Sequence, residues 1–375
     1  MTGLYSPTET GQLLANSVAQ AIERTGHVPG SGTRGDSARL WSTLAELGFA
    51  GIGVDPRHGG AGGQLADLAP ALTLLGQKLC ITPAITSMVC ATWLIEAAGS
   101  ARQAGDRLPA LAEGALTAAL AHTEHAARNH PHFVETRARR AADGWVLDGA
   151  KSIVPDGGTA GLFVVSARTS GTPVHADGIS LFLVPAGAPG LGCRTVSLYD
   201  GSQAASLAFD GLTLPADALL ASEGKAAPLI EAATDRAIAA LCADAVGVME
   251  GLFELTRDYL RTREQFGQPI GRFQALQHRM ADLFIELELA RSMAGYAIAA
   301  TDLAEARQRA SAISAAKHVI ANAARKIGQD CVQLHGAIAL TGEYAAGHYF
   351  KRLTLIERQF GGADYHLDRF AGLAA

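Results

Sequence analysis

No block of lysines or arginines interrupts this chain, although it carries 31 basic and 36 acidic residues and a formal net charge of −5. Charge so small and so mixed in sign excludes the electrostatic footprint of a nucleic-acid binder or a membrane-surface protein. No apolar run is long enough to span a bilayer, so no membrane span is expected. The start, MTGLYSPTETGQLLANSVAQ, lacks a basic stretch followed by an apolar core, so no secretory signal is expected. The cysteines, Cys80, Cys90, Cys193, Cys242 and Cys331, are odd in number and scattered, with no CxxC pair. Buried, reduced thiols in a cytoplasmic protein are the expectation. The 12 histidines show no HExxH or other ligand spacing, and no metal site is expected.

What is present is apolar mass for two or three packed domains in 375 residues. The texture changes twice along the chain. Residues 1–115 read as helices joined by glycine-rich turns. Leu40, Leu44 and Leu47 recur at helical spacing before Gly48, Leu68–Leu79 is similar, and another helix ends near Gly99. Val54–Gln64, VDPRHGGAGGQ, is too rich in glycine and proline for helix or strand. Residues 116–220 turn to short apolar runs, LTAALAH, GWVLDGAK, LFVVSAR, ISLFLVP and ASLAFDGLTLP, the pattern of a small β-barrel. Asp-Gly pairs at 143–144, 148–149, 177–178 and 210–211 are expected to mark its turns. Residues 221–375 are helical again. One apolar stripe runs through Ala245, Val248, Met249, Leu252, Leu255, Thr256 and Tyr259. A second holds Leu276, Met280, Leu283, Phe284 and Leu287, and an alanine-rich third runs from Ala315 to Ile327. Together these imply a four-helix bundle, within an α+β multidomain chain of N-terminal helices, central barrel and C-terminal bundle. Ala101–Gly114 and the surroundings of Gly224 read as domain junctions.

Within that order lie four motifs. RTREQFGQPIGRFQALQHRMAD fits the pattern RxxFGxxIxxxQ at Arg263, Phe266, Gly267, Ile270 and Gln274. CVQLHGAIALTGE (Cys331–Glu343) looks like QxxGGxGxxxE. AHTEH (Ala121–His125) resembles a TEP segment, and GWVLDGAKSIVPDGG (Gly144–Gly158) a GxKxWxTN hairpin. In these motifs, and in LGFAGIGVDPRHGGAGG near its start, the chain resembles the acyl-CoA dehydrogenases over nearly its whole length. The resemblance implies FAD as cofactor. It puts Arg263, a planar and permanently charged fork, on the FAD diphosphate of a neighbouring subunit, with Gln265 and Phe266 on the same face. It places Gln333, Leu334 and Gly336 at the adenosine half and Thr123 near the isoalloxazine ring. Implied partners are an acyl-CoA or acyl-carrier thioester, an electron-transfer acceptor and a homologous subunit, in a dimer or heterotetramer. Read without the resemblance, Arg263 is a cation at a helix C-terminus, Phe266 a core residue, Gly336 a turn and Gln333 a cap.

Desaturation needs a carboxylate facing the acyl α-carbon in a dry site. Aligning QFGG with the YEGT-like motif that carries this base in most members puts Phe360 at the base position, with Glu357 three residues earlier as a solvated or ion-paired group. An alternative base on the first bundle helix falls at Ala237. Asp244, seven residues on, shares that helix face and is the candidate catalytic carboxylate, while Asp235 reads as a helix N-cap. In the hairpin, Ile153 replaces a tryptophan that packs near the flavin, and Pro155 replaces a threonine whose hydroxyl bonds to N5. FGGADYHLDRF (Phe360–Phe370) resembles the FGDADHHL-like ending of one subunit type in bacterial heterotetramers of this family. Three readings follow: a desaturating subunit working with a partner, a non-catalytic subunit that completes FAD binding in a sister, or a member acting on a carrier-bound acyl group.

Overall fold

The computed structural model of the chain describes residues 7–30 and 34–374. Five helices open the fold: α1 (Glu9–Thr25), α2 (Arg34–Glu46), α3 (Leu65–Gln77), α4 (Trp93–Ala98) and α5 (Ala101–Ala112), with a wholly buried π-helix, Ala84–Thr92, running into α4. Strands β1 (Ala118–Ala121), β2 (Arg137–Ala141), β3 (Gly144–Pro155), β4 (Leu162–Arg168), β5 (Ile179–Pro185), β6 (Leu191–Ser197), β7 (Gln203–Pro215) and β8 (Leu219–Leu220) follow. The rest is helical: α6 (Ala227–Thr262), a two-stranded hairpin of β9 (Glu264–Gln265) and β10 (Gln268–Pro269), then α7 (Gln274–Ala300), α8 (Ala306–His335), α9 (Ala345–Arg358) and α10 (Ala363–Ala374). Among the described residues no helix is long and apolar enough to cross a membrane.

The chain forms two compact units. One holds the residues up to Thr43, Leu65–Thr82 and everything from Ile238 onward. The other holds Leu44–Gln64 and Pro83–Ala237. In the helical unit, α8 packs against α7, α9 and α10. Its buried face is rich in alanine, Ala312, Ala316, Ala321, Ala323 and Ala324 among others, with Ile313, Ile320 and Ile327 between them, which lets neighbours approach closely. Close approach recurs where α3 meets α6. A side chain at Gly76 would strike the Asp244 carbonyl, and one at Gly247 the Thr73 carbonyl, so glycine is required at both. Thr8 caps α1 by accepting the Gly11 N–H, and Gly26, at φ 66°, closes it in left-handed geometry.

In the β unit one eight-stranded sheet runs β6-β7-β3-β2-β4-β5-β8, with β1 added parallel to β4. Trp145, Leu147, Phe163, Phe182, Leu207 and Leu212 fill its interior, Trp145 edge-on to Phe182 at 5.1 Å. β4 is buried at every residue, as its unbroken apolar run requires.

Several local expectations give way. Asp148-Gly149 and Asp210-Gly211 are not turns but lie inside β3 and β7, where the register slips by one residue and Asp148 accepts the Gly211 N–H at 2.8 Å. Most of Ala101–Gly114 is not a loop but the helix α5. Ser100 and Gln103 form a reciprocal capping box that starts α5. Asp235 is not the N-cap of α6, which begins eight residues earlier and buries it. Leu47 falls beyond α2 and is exposed, as is Phe284 on α7. Four cysteines are buried and free, but Cys193 lies exposed on the edge strand β6.

Candidate functional site

In the helical unit α6 stops at Thr262, and the chain reverses through β9 and β10. Phe266 (φ 54°) and Gly267 (φ 78°) form the two-residue turn, both left-handed as such a hairpin demands. Phe266 is 90% exposed, touching Phe273 edge-on at 5.9 Å. A bulky side chain held at positive φ and left mostly in water gains little from packing, and such outliers gather at functional surfaces. Arg263 and Gln265 are exposed beside it. The Arg263 guanidinium makes no ion pair among the described residues, so its fork is open to an anion.

At the end of α8, Gln333 is exposed, Leu334 is buried, and Gly336 (φ 69°, ψ −146°) adopts a backbone that only glycine reaches without strain. Nothing lies within 4 Å of where a Gly336 side chain would stand. His335, between them, packs against Tyr259 at 4.7 Å and Tyr344 at 5.2 Å. Tyr259 belongs to the last turn of α6. The aromatic stack therefore joins the end of α8 to the root of the Arg263 hairpin. Burial pushes the His335 imidazole pKa down, favouring the neutral ring.

Asp244 is buried on α6, and its Oδ2 accepts from Arg352 Nη2 at 2.6 Å. Phe360 sits in the turn between α9 and α10 at φ 59°. Glu357 is buried and paired with Arg325, with the Arg358 guanidinium 3.6 Å away. Ala237 is fully buried.

In the β unit Thr123 is exposed, and its carbonyl accepts the Ser152 N–H at 2.9 Å. Beneath it lies a buried ion pair that reading the sequence missed. Lys151 Nζ meets Glu124 Oε1 at 2.6 Å and also reaches Ser166 Oγ at 3.0 Å and the His122 carbonyl at 3.3 Å. Glu124 in turn accepts the N–H groups of Glu135 and Thr136, at 2.7 and 3.0 Å. Burial pushes the Lys151 ammonium down to about 8, against the upward pull of Glu124. The pair fastens the Thr123 segment to the hairpin. Both members stand inside the motifs quoted above, and a lysine in a strand packed among apolar neighbours was the available signal.

Past Lys151 the hairpin bulges. Lys151 faces Leu207 and Val154 faces Ala205, so β3 carries one extra residue there. Ile153, within that bulge, has φ 51° and is 61% exposed. Asp156 accepts a hydrogen bond from Thr86 of the π-helix at 2.6 Å. Among the described residues no group of three or more metal-ligating side chains occurs.

The chain thus runs from helices through a β sheet to long helices that carry the exposed Arg263 fork. Family models match all three parts: the acyl-CoA dehydrogenase N-terminal domain at residues 9–115, the middle domain at 119–212 and the C-terminal domain at 228–371. The chain belongs to the acyl-CoA dehydrogenase family, oxidoreductases that act on CH–CH bonds. It is 31% identical over 308 residues to a short-chain specific acyl-CoA dehydrogenase of Clostridium acetobutylicum, covering 80% of each chain. It is 29% identical to acyl-CoA dehydrogenase FadE12 of Mycobacterium tuberculosis, over 91% of this chain and 89% of that one. Among solved structures it resembles a variant of the Tcur3481–Tcur3483 steroid ACAD, with TM-score 0.84 and 29% identity over 97% of this chain and 98% of that one. Butyryl-CoA dehydrogenase of Megasphaera elsdenii shares the fold, at TM-score 0.87 and 23% identity over 99% of each chain.

Proposed function

We propose that this chain is a subunit of an FAD-dependent acyl-CoA dehydrogenase that desaturates an acyl thioester together with a homologous partner subunit. One observation carries the reading. The chain keeps the residues suited to the diphosphate end of FAD, while the base position holds Phe360. Arg263 offers an open, permanently charged fork, Gln265 and Gln333 are exposed donors, and Gly336 leaves room for close backbone approach. This donor set fits a dinucleotide's diphosphate and adenosine. At the ring end, Thr123 is an exposed hydroxyl, but Pro155 carries neither hydroxyl nor N–H. When bound, FAD supplies the acceptor for the hydride that leaves the acyl β-carbon.

The residues of this chain then divide the work. Arg263 holds the dianion at a subunit edge, in the neighbour's site as the resemblance implies. The Lys151–Glu124 pair fixes the hairpin that the resemblance puts beside the ring. Asp244, the candidate carboxylate on α6, is paired with Arg352, which argues for a structural part and leaves the base to the partner. Phe284, Ile285 and Leu289 give α7 an exposed apolar face, which supports a subunit contact. The paired name of the steroid ACAD supports an assembly of two related chains. A solved structure of an electron transferring flavoprotein of Acidaminococcus fermentans is among the structural relatives, at 25% identity, which supports a protein electron acceptor.

The test is purification of the chain alone and co-expressed with a homologous subunit, with native mass and FAD per chain measured. Expected is little FAD and no turnover alone, and both with the partner. Arg263→Ala should weaken FAD retention about ten- to a hundredfold, since a charge-assisted contact contributes about 1.5–3 kcal/mol. Arg263→Lys should restore only part. Full FAD and full turnover in the isolated chain would overturn the reading, and loss of that turnover in Asp244→Asn would return the base to Asp244.

A further inference from the structure

Apart from Phe360 at the base position, the FGGADYHL segment has no part in the function above, yet its turn is held by more groups than a helix connection needs. Phe360 (φ 59°) and Gly361 (φ 103°) are consecutive left-handed residues between α9 and α10. For a phenylalanine this backbone is a genuine outlier and persists only where the surroundings impose it. A side chain at Gly361 would run into the Tyr365 ring at 2.3 Å, so the turn lies pressed against the first turn of α10.

His366, wholly buried on α10, supplies the constraint. Its Nε2 lies 3.0 Å from the Phe360 carbonyl and its Nδ1 3.5 Å from Ser314 Oγ, which also accepts from Arg369 at 3.3 Å. The carbonyl can only accept, so Nε2 carries the proton and Nδ1 faces the serine hydroxyl. Two groups of α8 complete the clamp. Lys317 Nζ donates to the Ile356 and Glu357 carbonyls at 2.8 and 3.2 Å, and His318 Nδ1 bonds to the Ala363 carbonyl at 2.9 Å. Carbonyls at 356, 357, 360 and 363 are thus all taken by side chains of α8 and α10. Only the one at 360 belongs to a strained non-glycine residue.

We propose that His366 is a positioning residue, which imposes the left-handed backbone at Phe360 and so fixes where the side chain of residue 360 stands. The functional half of this proposal rests on the reading above, in which residue 360 occupies the place of the base in most family members. The mount is retained while its carboxylate is gone, and the ring takes a fixed place at the thioester site.

Two readouts separate the halves. The first is hydrogen–deuterium exchange of the amides at 359–362 in the full chain, which needs neither flavin nor partner. His366→Leu should speed exchange there about tenfold or more and leave mid-α8 amides unchanged. His366→Gln, which can place an N–H near the Nε2 position, should restore protection. Ser314→Ala, a milder change, should give a partial effect if the leucine variant does not fold. The second readout is thioester KM in the partnered enzyme, expected to shift about threefold or more in His366→Leu, with kcat less affected and the glutamine variant near wild type. Unchanged exchange at 359–362, or a rise spread evenly through the bundle, overturns the clamp. Faster local exchange with unchanged KM overturns the positioning role. Failure of the FAD test alone leaves the exchange result standing.

Discussion

Each unit buries a lysine, and the two are held by opposite means. Lys151 in the β unit faces a carboxylate, a hydroxyl and a carbonyl, so all three donors of its ammonium are used. Lys317 in the helical unit donates to two backbone carbonyls in the last turn of α9. Burial pushes both down to about 8. The difference lies in what would be left behind. Without Lys151, a buried carboxylate loses its counter-charge at the root of two candidate cofactor segments. Without Lys317, a helix end loses its cap and no charge is stranded. A buried cation that answers a charge organises a site, whereas one that answers carbonyls finishes a scaffold.

The sharpest way to break this contrast is to delete each lysine. Lys151→Met should cost about 3–5 kcal/mol, because Glu124 is then buried as an uncompensated charge. Adding Glu124→Gln should recover part of the loss, since partners in one network are not additive. Urea unfolding of the single and double variants measures both, and a double variant as unstable as the sum of the singles would refute the pair. Lys317→Met should cost less, about 2–3 kcal/mol for two orphaned carbonyls. An equal or larger cost than Lys151→Met would erase the distinction.

Acid sharpens the comparison. Burial, reinforced by the nearby Lys317 charge, drives His366 from 6.5 down to about 3, and burial with Lys151 drives His122 down to about 4. Both stay neutral in the folded chain at pH values where an unfolded histidine binds a proton. Their stabilising contribution is therefore whole above about pH 6.5 and lost as pH falls towards the folded values. For His366, which is fully buried, the loss by pH 5 should be about 2 kcal/mol. His366→Gln should remove that increment from the difference between urea unfolding at pH 7 and pH 5. A variant with an undiminished acid slope would show that His366 is not the titrating group.

These contrasts were unevenly legible in the sequence. Strands buried on both faces, β4 and β5, announce themselves as apolar runs. β2, RARRA, buries only Ala138, and β6 buries nothing fully, so neither carries a strand signal. The start of α6 hides in alanines that fit any environment, which is why Asp235 looked terminal. The Arg263 hairpin and the Gly336 turn could be found because their residue types are tied to a chemistry or a backbone angle. The buried lysine carried a signal, but its pairing with Glu124 did not, because the two lie 27 residues apart and meet only where the Thr123 segment docks on β3. The π-helix is invisible to any reading based on a period of 3.6.

The smallest expected effect tests whether the hairpin bulge stores strain for a purpose. Ile153 is β-branched and left-handed, a combination that costs roughly 1–2 kcal/mol. It is mostly exposed, so little burial offsets the strain. Glycine at 153 would relieve the angle but lose more chain entropy on folding, about 0.5–1 kcal/mol. Ile153→Gly should therefore leave stability unchanged or raise it by up to about 1 kcal/mol. Ile153→Ala keeps the left-handed strain and should gain nothing. If the isoleucine served packing, both variants would be destabilised by a comparable amount. A glycine variant that is as stable as wild type yet holds FAD less tightly in the partnered protein would place the value of the strained residue at the cofactor. Equal stability with equal retention would mean that the bulge, through Asp156 and Thr86, sets the hairpin without help from the side chain at 153.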